Sequence, residues 1–93
     1  MSSVVAEVKL LFFASAFCDP CIHTRAVLDN VSKLVPAATI VELDVARDEA
    51  EAKRAGILST PTIVVLGADN VEVFRAEGVP TINQVLTALA QAV

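Results

Sequence analysis

Residues 8–13 read Val-Lys-Leu-Leu-Phe-Phe, apolar without alternation apart from Lys9. A strand of that kind cannot turn one face to water, so both of its faces must be covered, as in a parallel sheet flanked by helices. That requirement fixes a layered α/β class before any other residue is read. The remaining segments supply the cover.

A helix is expected over Asp19–Leu34, with Pro20 in its first turn, where a missing N–H costs nothing. Val27, Val31, Leu34 and Val35 form its buried stripe, widened by Ile22 and Leu28, and Pro36 stops it. Arg25, Asp29 and Lys33 give a solvent face of i, i+4 charge pairs. Thr39–Val45 alternates as a second strand. Asp48 caps a short helix through Ala55, ended by Gly56 with Ile57 as its apolar contact. Thr62–Leu66 and Val71–Ala76, joined by Gly67-Ala68-Asp69-Asn70, read as a hairpin that Gly78 breaks. Thr81-Ile82-Asn83-Gln84 opens a last helix with a capping-box signature and a stripe of Ile82, Val85, Leu86, Leu89 and Val93. Met1–Ala6 is a frayed lead-in. The order is β-α-β-α-β-β-α, with both early connections long enough for right-handed crossovers between parallel strands. A mixed four-stranded sheet flanked by three helices results, in a chain of 93 residues with room for one domain.

The only two cysteines stand in Phe17-Cys18-Asp19-Pro20-Cys21, at the first strand-to-helix junction. A thiol there meets the unpaired N–H groups of the helix and the positive end of its dipole, and both favour thiolate. Asp19 opposes this, because a neighbouring carboxylate disfavours a second negative charge. Cys18 is the expected attacking thiolate, and Cys21 can close a disulfide one turn later. The bland reading is a pair of buried structural thiols. Zinc needs four ligands, and only His23 could join the pair, so no metal site is expected. Ile22 stands where covalent haem attachment needs histidine. A dimer sharing an iron–sulfur cluster needs only cysteines, some of them supplied by glutathione, and stays an alternative. His23 reads as a proton shuttle or part of a docking rim. Phe12, Phe13 and Phe74 read as core. Phe17, beside the nucleophile, reads as an apolar contact for substrate.

Cys-x-Pro-Cys after strand one, with Thr60-Pro61 before strand three and Gly78 beyond the hairpin, resembles the thioredoxin-like family, from about Val4 to Val93. The short lead-in is similar to that of a glutaredoxin or a small archaeal-type thioredoxin. The resemblance implies a thioredoxin fold and a redox-active Cys18–Cys21 disulfide, with no other cofactor. It makes Cys18 the exposed nucleophile and Cys21 the buried resolving thiol. Pro61 becomes a cis-proline facing the disulfide. Thr60 becomes the residue whose backbone pairs with substrate, and Gly78 part of the loop rimming the groove. The chain also departs from the family. Phe17 replaces the usual Trp, and Ala26 replaces a helix-kinking proline. The family's buried acid and its lysine partner fall at Phe12 and Ile40, both apolar, so the usual proton path to the resolving thiol is missing. Val79-Pro80 follows Gly78, where glutaredoxins carry an acidic pair for glutathione.

Composition narrows the partners. Net charge is −4 and no basic cluster exceeds Lys53-Arg54, which excludes a phosphate-tracking surface and nucleic acid. No apolar run reaches the length of a membrane span. Lys9, Leu10–Ala14 and Ala14-Ser15-Ala16 imitate a secretory signal, but the apolar stretch is too short, and a cytoplasmic monomer is expected. The expected function is thiol–disulfide oxidoreduction. Cys18 attacks a protein or small-molecule disulfide, Cys21 resolves, and glutathione or an external thiol reductase restores the dithiol. The competing reading is a thioredoxin-fold binding module that docks a partner without turnover.

Overall fold

The apolar run is an inner strand. The computed structural model describes residues 8–93, and the lead-in expected over Met1–Ala6 lies outside them. Seven elements follow in order: β1 (Lys9–Ala14), α1 (Asp19–Leu34), β2 (Thr39–Asp44), α2 (Glu49–Ala55), β3 (Thr62–Leu66), β4 (Glu72–Glu77) and α3 (Ile82–Ala92). The sheet has the order β2-β1-β3-β4. β1 runs parallel to β2 and antiparallel to β3, which is antiparallel to β4.

Both faces of β1 are covered, as its composition requires. Leu10 and Phe12, with Ile63 and Val65 of β3, meet Leu28 and Val31 of α1 and Val85 and Leu89 of α3. Phe13 and Val64, on the opposite face, meet Ala52 of α2, with Leu11, Leu43 and Ile57 at the margin.

The connection from β2 to β3 is not the parallel crossover expected from its length. Asp44 and Thr62 lie at the same end of the sheet, opposite Ala14 and Phe13 of β1. A seven-residue α2 climbs only about 10 Å, against roughly 17–20 Å for a typical strand. The chain therefore returns at the same end of the sheet, and β3 runs antiparallel to β1. That end of the sheet also carries the cysteines.

Helix phases differ from the apolar count. The buried residues of α1 are Cys21, Thr24, Leu28 and Val31, while Ile22 and Leu34 are exposed. Cys21 sets the phase, and Thr24 can follow it inward because its hydroxyl donates to the Pro20 carbonyl at 2.9 Å. Arg25 does not pair along the helix. It reaches β2 and binds Glu42 through two of its guanidinium nitrogens, Nε and Nη2, at 2.9 and 2.7 Å. In α3, Ala88 and Ala92 take the inner places beside Val85 and Leu89, and Val93 is exposed. Asp48 precedes α2 without capping it, because its carboxylate accepts from the Asp44 N–H and the Arg47 guanidinium instead. Gly56 ends α2 in the left-handed region at φ 67°, where glycine carries no Cβ penalty.

The Thr81 capping box is complete. Its hydroxyl accepts from the Gln84 N–H at 3.1 Å, and the Gln84 side chain accepts from the Thr81 N–H at 2.9 Å. Thr81→Ala is expected to cost about 1 kcal/mol and lower the melting temperature by roughly 5 °C. A thermal melt shifted by less than 1 °C would contradict that.

Candidate active site

β1 ends at Ala14, and the four residues that follow turn the chain into α1. Phe17 takes φ 57°, in the left-handed region that a bulky side chain rarely adopts. The turn leaves its ring fully exposed. Cys18 then sits extended as the N-cap of α1, at φ −111° and ψ 97°. Its sulfur occupies the capping position and accepts the Cys21 N–H at 3.1 Å. A negative charge on that sulfur would receive this amide and the positive helix end together.

Cys18 and Cys21 are joined by a disulfide, with Cα atoms 5.2 Å apart. The two sulfurs are unequally placed. Cys21 is 1% exposed and belongs to the core, whereas Cys18 is half-buried at the surface. Asp19, Pro20 and His23 are all exposed on the first turns of α1.

The segment before β3 crosses in front of the cysteines. The Thr60–Pro61 bond is cis. The Thr60 hydroxyl lies 3.8 Å from the Cys18 sulfur and 2.7 Å from the Ser15 hydroxyl. Among the described residues, the Thr60 N–H and carbonyl make no main-chain hydrogen bond. The Pro61 carbonyl accepts the Gly78 N–H at 2.9 Å, which draws the loop after β4 against it. Gly78 takes φ 85°, a conformation that suits glycine.

Cys18, Thr60, Pro61 and Gly78 therefore converge from three separate loops, with Cys21 in the first turn of α1. Pro61 differs from expectation in one respect: it is buried, and offers substrate no open face. The exposed apolar side chains at these loops are Phe17, Leu58 and Val79, with Ile22 on the helix. Leu58 and Val79 were not visible as site candidates in the sequence, where single apolar loop residues carry no signal. Ser15 was equally hidden. A cleft of about 230 Å³, lined by Ser15, Val45, Ile57, Leu58, Ser59 and Thr60, opens beside the hydroxyl pair.

The register corrects a further expectation. The residue opposite Phe12 on β2 is Glu42, while Ile40 faces Leu10. The neighbour of the apolar position in β1 is thus a carboxylate, which is bound outward to Arg25. The hydrogen bonds from Arg25 hold the Glu42 carboxyl below its ordinary range. The Arg25 guanidinium also stands 5.8 Å from the Phe12 ring centroid. At the end of β2, the Arg47 and Ala46 N–H groups lower the Asp44 carboxyl. Among the described residues, no cluster of three His, Cys, Asp or Glu side chains is placed to hold a metal ion. No helix there is long and apolar enough to cross a membrane.

Comparison with known proteins agrees with this geometry. The family model described as Thioredoxin matches residues 2–91. A thioredoxin of Chlamydia muridarum is 30% identical over 76 residues, covering 82% of this chain and 74% of that protein. A thioredoxin of Methanocaldococcus jannaschii is 33% identical over 64 residues, covering 68% and 75%. The X-ray structure of Fasciola hepatica thioredoxin superposes with a TM-score of 0.83 at 21% identity, covering 94% of this chain and 82% of that one.

Proposed function

The chain belongs to the thioredoxin family of thiol–disulfide oxidoreductases, and from that premise we propose that it reduces disulfides of protein substrates, with Cys18 as nucleophile and Cys21 as resolving thiol. The observation that carries this reading is the inequality of the two sulfurs. Cys18 caps α1 at the surface, where its charge is stabilised and a partner can reach it, while Cys21 lies beneath it within bonding distance.

In the forward direction the reduced Cys18 thiolate attacks one sulfur of a substrate disulfide. A Cys18–substrate bond forms, the substrate's own S–S bond breaks, and one substrate sulfur leaves as thiolate. Cys21 loses its proton and attacks the Cys18 sulfur. The second substrate thiolate departs, and the Cys18–Cys21 disulfide returns. Two electrons have passed to the substrate, and an external dithiol reductase or glutathione supplies their replacements. The unpaired main chain of Thr60 suits an extended substrate segment lying across the site. Phe17, Leu58 and Val79 give that segment an apolar rim, so a polypeptide disulfide fits better than a small polar one.

The test is reduction of insulin disulfides with dithiothreitol as electron source. Multiple turnovers per protein molecule are expected. A binding module would give none beyond the dithiothreitol background. Phe17→Ala tests the rim: KM for insulin should rise roughly three- to tenfold with kcat unchanged, because the lost contact is apolar area covered on binding. An equal effect on reduction of a small aliphatic disulfide would argue against the rim.

A further inference from the structure

Two hydroxyls beside Cys18 have no part in the exchange just described. Ser15 Oγ and Thr60 Oγ1 are 2.7 Å apart, and Thr60 Oγ1 is 3.8 Å from Cys18 Sγ, within reach of a sulfur acceptor. Ser15 is the first residue after β1, and Thr60 lies 45 positions later. Their meeting is made by the fold. Both are half-buried, so each hydroxyl has limited access to water in place of its partner.

A hydroxyl carries one proton and can accept two. If Thr60 gives its proton to sulfur, it cannot also donate to Ser15. The 2.7 Å contact must then run from Ser15 as donor to Thr60 as acceptor. In the disulfide the sulfur is a weak acceptor, and either direction is open. Once an external dithiol has passed two electrons to the S–S bond, Cys18 can ionise and becomes a strong acceptor. Only one direction then satisfies all three atoms. A chain of hydrogen bonds aligned in one direction polarises each member, and a hydrogen bond to the charged form favours that form.

We propose that Ser15 is a positioning residue for the Cys18 thiolate, acting through Thr60, whose hydroxyl proton it commits to the sulfur. The proposal rests on the assignment of Cys18 as nucleophile. The Cys21 N–H holds the same sulfur from the helix side, so the thiolate is gripped from two directions. The charged and titratable groups at this end of the molecule include Asp19 and His23 on α1, Asp44 at the end of β2, Arg47, Asp48 and Glu49 beyond it, and Glu77 at the end of β4. Among the described residues, none of them hydrogen-bonds the Cys18 sulfur. Their fields are common to every variant below and cancel in the differences.

The test is the pH profile of Cys18 alkylation by iodoacetamide in the fully reduced protein, where Cys21 is shielded. Thr60→Val should raise the midpoint by about one pH unit, a tenfold loss of thiolate below it, and Ser15→Ala by roughly half a unit. Ser15→Thr, which restores the hydroxyl, should bring the profile back. Adding Ser15→Ala to Thr60→Val should move the midpoint no further. A Ser15→Ala profile that coincides with that of the unaltered chain would overturn the proposal. So would the same displacement in the presence and absence of the Thr60 hydroxyl, since Ser15 would then act by another route. Insulin turnover is scored separately. Displaced profiles in a chain that reduces nothing would defeat the assigned function and leave the hydroxyl pair standing.

Discussion

Replacing Cys18 by serine is expected to abolish disulfide reduction, with insulin turnover falling by at least about a thousandfold, because an alcohol is a far weaker acid than a thiol and cannot form the mixed disulfide. The hydroxyl would still accept the Cys21 N–H, so the fold should persist and the loss should be chemical. Cys21→Ser has a different signature. The exposed nucleophile survives and the first exchange proceeds, but nothing beneath it can displace the captured partner. The product is a stable mixed disulfide through Cys18, visible as a non-reducing gel shift or as added mass, and released by dithiothreitol. A Cys18→Ser protein that keeps a tenth of the turnover would refute the assignment of the nucleophile. Trapping through Cys21 in the Cys18→Ser protein, with none through Cys18 in Cys21→Ser, would reverse the two roles.

Phe12→Ala should be the most damaging substitution to stability. Phe12 is 1% exposed in the larger core cluster, which also includes residues of α1, β3 and α3. Truncating such a ring costs about 3–5 kcal/mol, a large part of a typical total of roughly 5–15 kcal/mol. For a domain of this size the melting temperature should fall by roughly 15–30 °C. Phe12→Leu keeps much of the volume and should lose far less. Arg25 faces the same ring at 5.8 Å, so Phe12→Ala also removes the aromatic support of the guanidinium while leaving its two bonds to Glu42. A fall of under 5 °C for Phe12→Ala would mean the core closes around the gap more readily than this packing suggests.

The elements and their order were legible because each carries a local signal: an unalternating apolar run, a proline at a helix start, a glycine at a helix end, a capping box. The direction of β3 was not. It depends on how far a seven-residue helix can carry the chain, a length comparison that periodicity does not contain. The phase of α1 was legible in part: Leu28 and Val31 are buried and Val27 and Val35 pack against the core, but apolar counting adds Ile22 and Leu34, which are exposed, and leaves out Cys21 and Thr24, the latter satisfied by its own backbone. The cysteine pair, Thr60, Pro61 and Gly78 were readable as a set through the family resemblance. Ser15, Leu58, Val79 and the Arg25–Glu42 pair were not, since each gains its meaning only from a neighbour that the fold brings across a long stretch of sequence.

The burial of one sulfur beneath the other leaves the molecule a single doorway. On the proposed function, a reductant arriving to recharge the disulfide must strike Cys18, the same atom that later meets the substrate, because Cys21 is closed to both. Donor and acceptor must therefore visit in alternation. Each, in excess, crowds out the other.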